Sequence, residues 1–172
     1  MENKEVQKKG SALDIDDAFD FKFAKKWPVA LRWALAIPIG ILGLLLVQLA
    51  YGFIVNMFLK NFSETSIIAT IVNAGFGLLK IYLFMIAMVA MAPVATVNKF
   101  KAGLGFSLVP YLMSVGIVHL GMRAAAKYPE VIYSSFDIAI QIGVTVLAVI
   151  LSLWYIKSET NKKKSDEGVI TP

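Results

Sequence analysis

WALAIPIGILGLLLVQLAYGFIVNMFL, residues Trp33–Leu59, carries no charged side chain. A helix rises about 1.5 Å per residue, so roughly 20 apolar residues cross a hydrocarbon core. Three further stretches have the same character. Thr65–Asn98 holds one charge, Lys80; Ala102–Met122 holds only His119, which can be neutral; Ile138–Ile156 holds none. Backbone groups in lipid must be satisfied within a helix or a closed barrel, and the alternation of barrel strands is absent. The sequence therefore predicts an all-α integral membrane protein with four transmembrane helices, over about 30–59, 66–92, 102–122 and 136–157.

Composition agrees. Of 172 residues, 58% are hydrophobic and 17% charged, with a mean hydropathy of +0.68; soluble domains run nearer about 45–50% and about 25%. The net charge of +5 invites a nucleic-acid reading, but the basic residues flank apolar segments, where lipid headgroups favour them. No nucleic-acid partner is expected. With no cysteine, disulfides, thiolate zinc sites and iron–sulfur clusters are excluded. The polar, mixed-charge start is unlike a cleavable signal peptide, so the first span is expected to remain as an anchor. Glu2 stands where myristoylation needs glycine, and the end has no prenylation box.

Orientation follows from Lys and Arg near the helix ends. Lys4, Lys8, Lys9, Lys22, Lys25, Lys26, Arg32, Lys99, Lys101, Lys157, Lys162, Lys163 and Lys164 make thirteen on one side, against Lys60, Arg123 and Lys127 on the other. Both ends are expected in the cytoplasm, N-in/C-in, with a bacterial inner (plasma) membrane as the location.

Boundaries are marked by Pro28, by Asn61-Phe62-Ser63-Glu64 with Ser63 or Thr65 as a cap, by Pro93, by Lys127-Tyr128-Pro129-Glu130, and by Ser134 or Ser135 as a cap of the last helix. Pro38 and Pro110 fall inside helices and predict kinks. Residues 1–28 form a cytoplasmic arm. Ser11-Ala12-Leu13-Asp14 resembles a capping box, and Ile15, Phe19, Phe23 and Trp27 recur every four residues, which favours an interfacial N-terminal helix. The alternation in Phe19-Asp20-Phe21-Lys22-Phe23 also fits an extended segment docking on a partner. Asp14, Asp16, Asp17 and Asp20 form an acidic knot that anionic lipid would repel. Residues 158–172 are expected to be a disordered tail. No internal repeat supports an inverted-repeat transporter.

Ionisable groups inside a membrane are functional candidates by default. Lys80 lies about 21 Å along its helix from Ser66, with no acid at similar depth in any span. It has three readings: a lysine reaching one headgroup layer, a contact with a partner subunit, or part of an ion or substrate path. Gln48 and Asn73 are the candidate intramembrane contacts beside it. A second cluster is expected near the outer face, where His119 and Arg123 are four apart on one helix and Asp137 and Gln141 four apart on the next. An Arg123–Asp137 salt bridge is the bland reading and a vestibule with a proton-responsive His119 the functional one. Met85, Met88 and Met91 raise a Cu(I) path but are ordinary apolar fillers in helices. Ala36 and Gly40, Ala139 and Gly143, and Ala148 and Ser152 have the four-residue spacing that lets helices approach closely, and Asn73, Ala74, Gly75 and Gly77 give the second helix a similar face.

No catalytic motif or paired carboxylate faces the membrane surface, so no enzyme activity, cofactor or metal is expected. The leading expectation is a subunit or accessory factor of a larger membrane complex, binding lipids and other integral membrane proteins or copies of itself. The alternative is an oligomeric channel or transporter for a small solute or ion, using Lys80 and Gln48.

Overall fold

The computed structural model describes residues 14–16, 18–55, 57, 67–128 and 134–167, with side chains described up to residue 161. The expected turn and caps over residues 61–65, Ser11–Leu13 of the capping box, Asp17, and the Pro129-Glu130 loop lie outside the described residues.

The chain is all-helical in its long elements: α1 (Val29–Ile54), α2 (Ile67–Met91), α3 (Lys99–Phe106), α4 (Leu108–Lys127) and α5 (Ser135–Glu167). Grouped by continuity, they give four helical stretches long and apolar enough to cross a membrane, the third spanning Thr96–Lys127 and including both α3 and α4. By length and composition this is a multi-pass membrane protein.

Local chemistry explains the boundaries. Pro28 sits at the N-cap of α1, and its carbonyl accepts the Arg32 N–H at 3.1 Å. Ser134 opens α5 by a reciprocal capping box: its Oγ accepts the Asp137 N–H, while Asp137 Oδ2 accepts the Ser134 N–H at 2.9 Å and O–H at 2.7 Å. The two internal prolines behave differently. α1 runs on through Pro38, whereas the third span breaks at Ser107, three residues before Pro110. Pro110 has no N–H for the carbonyl of Phe106 and crowds it. Ser107 Oγ instead donates to the Leu104 carbonyl at 2.6 Å.

The expected disordered tail is corrected in part: α5 continues through residues 158–167 to Glu167, and 168–172 lie outside the described residues. Lysine and glutamate are good helix formers, and extending an existing helix avoids the cost of nucleation.

α2 is the central element, with α1 along one flank and α5 along another; α3 packs on α5 and the end of α2, and α4 leans mainly on α5. Packing is concentrated where α2 ends. Phe84, Met85 and Met88 form one buried cluster, Met91 packs with Ala24 and Ala36, and Val89 and Ala90 pack with Phe19 and Ile156. Phe106, beside the break, touches all three clusters. The three methionines thus serve as core filler. Phe19 lies edge-on to Tyr155 of α5, ring centroids 6.0 Å apart, so the arm and the far part of α5 share one end of the bundle.

The small-residue spacings divide. A Cβ on Gly40 would stand 2.7 Å from the Phe84 ring and 2.9 Å from Met88 Cγ, so Ala36 and Gly40 seat α1 on α2. Ala148 and Ser152 are also fully buried. Gly77 faces Val144 of α5, where an added Cβ would lie at 3.3 Å. Ala139 and Gly143 face outward, with nothing within 4 Å of a Cβ on Gly143.

Gly40→Ala is therefore expected to destabilise the bundle by roughly 1–3 kcal/mol through overpacking, although alanine is the better helix former by about 0.8–1 kcal/mol. Gly43→Ala, with open space around it, should be neutral or stabilising. Unfolding midpoints of the two variants in one detergent check this; equal shifts would contradict the close approach at Gly40.

Candidate functional site

The arm is not the interfacial helix that its four-residue recurrence favours. Asp16 Oδ1 accepts the backbone N–H groups of Ala18 and Asp20, both at 2.9 Å, and these bonds hold a turn in place of a helix. Phe19 sits in the left-handed region at φ 59°, and Ile15 and Phe21 form an antiparallel bridge. A single 3-10 turn, Lys22–Ala24, follows. The arm matches the second reading, an extended segment that docks, but its surface is this chain's own bundle: the Phe21 N–H donates to the Ala90 carbonyl of α2 at 3.3 Å.

That docking carries Asp20 to the buried end of α2. Asp20 Oδ1 accepts from Arg32 Nη2 and from Lys99 Nζ, each at 2.5 Å. Lys99 is completely buried, and its other bonds go to the carbonyls of Val89 at 3.0 Å and Ala92 at 2.7 Å. Arg32 Nε donates to the Met91 carbonyl at 3.1 Å. The last carbonyls of a helix lack intrahelical partners and carry a partial negative charge. Arg32 and Lys99 satisfy them here, the Asp20 carboxylate accepts from both cations, and no buried side-chain N or O among the described residues lacks a partner. Arg32 and Lys99 entered the sequence reading only as orientation charges, and Asp20 as part of a repelled acidic knot. The alternation of phenylalanines around Asp20 was the available signal.

The predicted polar residues gather at the other end. A cavity of about 540 Å³ lies among all four spans, and Lys80, Gln48, Asn73, Asp137 and Gln141 all line it. Lys80 Nζ donates to Gln48 Oε1 and stands 5.2 Å from the centroid of the Tyr51 ring; the Tyr51 O–H donates to Asn73 Oδ1. Across the cavity, Thr145 Oγ1 donates to the Gln141 carbonyl at 2.8 Å and lies 3.3 Å from Ser114 Oγ. Lys80 therefore faces a cavity, and among the described residues it makes no ion pair.

The outer cluster divides. Asp137 and Gln141 reach the cavity, but His119 and Arg123 are exposed on α4 and do not line it. The Arg123–Asp137 bridge is a correction: no such ion pair forms, because the Asp137 carboxylate is engaged by Ser134 at the start of its own helix. No three His, Asp or Glu side chains converge for a metal among the described residues. Comparison with protein-family models, characterised proteins and solved structures finds no match for this chain.

Asp20→Asn leaves Arg32 and Lys99 buried without their carboxylate, an imbalance that costs about 3–5 kcal/mol. The expected readout is faster proteolysis and hydrogen exchange within residues 14–27; an arm as protected as in the parent would contradict the lock. The arm should also respond to acid. Burial pushes the Asp16 carboxyl up, but the N–H donors of Asp20 and Ala18 and the Lys25 ammonium outweigh it and hold it below the ordinary range. Its stabilisation is then complete above the unfolded value of about 3.9 and is lost as pH falls through the lower folded value. Arm proteolysis followed from neutral pH into that range should accelerate only at its acid end.

Proposed function

We propose that this protein is a small-solute binding protein of the channel or transporter class, set in a bacterial inner membrane with both termini in the cytoplasm. One observation carries the reading: Lys80, near the middle of a span, faces a cavity of about 540 Å³ beside Gln48, with no ion-pair partner among the described residues. Cavities of about 300–1,000 Å³ with apolar walls and a few placed polar groups are the usual form of small-molecule sites, and a lysine-lined path favours anions. The cavity is lined by the spans of a single chain, so oligomerisation is not required to build it. The shared end of the arm and α5 supports termini on the same side, and the basic-residue count assigns that side to the cytoplasm.

A second reading, a subunit or accessory factor of a membrane complex, draws on the outward Ala139 and Gly143, whose spacing suits close helix approach and whose face is open in the bundle. The two readings separate by experiment. In liposomes, Lys80→Met should reduce anion flux about tenfold or more, the scale of one charge-assisted hydrogen bond, with the elution volume unchanged. Unchanged flux together with altered assembly would favour the subunit reading. Reporter fusions at both ends should report cytoplasm; a split result would overturn the orientation.

A further inference from the structure

The bonds within the cavity restrict what it can hold. Lys80 has no acceptor, and it takes the Gln48 carbonyl oxygen; the Tyr51 hydroxyl takes the Asn73 carbonyl oxygen. The N–H donors left at this level are those of the ammonium and of the amide groups of Gln48 and Asn73, beside the remaining lone pairs of the amide and phenol oxygens. A ligand must bring acceptors to meet them.

The register of the helices orders the rest. α2 and α5 run in the same direction, with Gly77 level with Val144. Asp137 lies seven residues before Val144 and Lys80 three beyond Gly77, so the backbone positions of the two residues are about 15 Å apart along the bundle. Among the described residues Lys80 is the one cation lining the cavity, and Asp137 marks its other end. A single negative charge beside Lys80 is neutralised, whereas a second extending outward would approach a carboxylate. Beyond Lys80 the lining becomes apolar, with Leu44, Ile81, Phe84 and Pro110. There the buried Phe84, Met85 and Met88 cluster closes the bundle. A bare inorganic ion would leave that floor unfilled and most of the volume to water.

We infer that the cavity binds an organic monoanion, a carboxylate bearing a compact apolar group. The carboxylate receives hydrogen bonds from Lys80 Nζ and the Gln48 amide, and the apolar group rests on Phe84, Leu44 and Pro110. This rests on the reading of the cavity as a solute site and adds the class of solute.

The test uses the full chain in phosphatidylcholine nanodiscs, with benzoate as probe, empty nanodiscs as blank, and calorimetry as readout. Saturable benzoate binding is expected. The neutral isostere benzamide should bind about tenfold more weakly or less, and Lys80→Gln should weaken benzoate by a similar factor. Gln48→Glu, which keeps Lys80 but supplies a competing carboxylate, should also abolish binding, so the result does not hang on one variant folding. Equal affinity for benzamide would overturn the inference, as would unchanged binding by Lys80→Gln. Displacement of benzoate by chloride or phosphate at equal concentration would overturn the organic class yet leave an anion site standing. Absence of saturable binding for benzoate, chloride and phosphate alike would remove both this inference and the solute reading beneath it.

Discussion

A helix that ends inside a packed bundle must find partners for its last carbonyls, and the organisation of this protein follows from how α2 does so. Water is excluded from Val89, Met91 and Ala92, so Arg32 from α1 and Lys99 from α3 supply the donors. Two buried cations need an anion, and Asp20 provides it. Three chain segments, the arm, the start of α1 and the start of α3, are thereby tied to one helix terminus. The arm is consequently part of the core, with Phe19 buried behind Asp20 in a left-handed conformation that surrounding contacts have to support.

This arrangement gives the bundle two unlike ends. At the α2 terminus lie the satisfied charges and the buried Phe84–Met88 and Val89–Ile156 layers. Toward the start of α2, α4 leans on α5, and all four spans line a cavity. The break at Ser107 lies between these regimes: α3 is held by Lys99, and α4 carries Pro110, Met113 and Ser114 to the cavity wall. A proline that a helix can absorb, as α1 absorbs Pro38, accompanies a break where a serine three residues earlier bonds back to the preceding turn.

How legible each feature was depended on whether its cause is local. Lys80 stands out because one cation in an uncharged run needs an explanation wherever it points. Gln48 and Asn73 follow from the same rule, and the cavity gathers all three. The capping box at Ser134 and Asp137 is a three-residue spacing and was visible in part. Its consequence, that Asp137 is engaged and does not meet Arg123, was not. Arg32, Lys99 and Asp20 were hidden because the same residues satisfy the basic-flank rule equally well, and a rule about net charge near helix ends does not reveal which charge is buried. The four-residue recurrence of Ile15, Phe19, Phe23 and Trp27 misled for a related reason: one aspartate at Asp16, by taking two backbone N–H groups, outweighs a pattern of weak apolar preferences.

By itself, the sequence determined the four apolar spans and the uneven distribution of basic residues around them. The length of a hydrocarbon crossing and the cost of charge within it act on each segment separately. Only the tertiary structure decided which small residues seat one helix on another, that the arm closes one end of the bundle through Asp20, and that Lys80 faces a cavity. Those outcomes depend on hydrogen-bond and steric partners supplied by other segments, and a partner's position is a property of the assembled bundle.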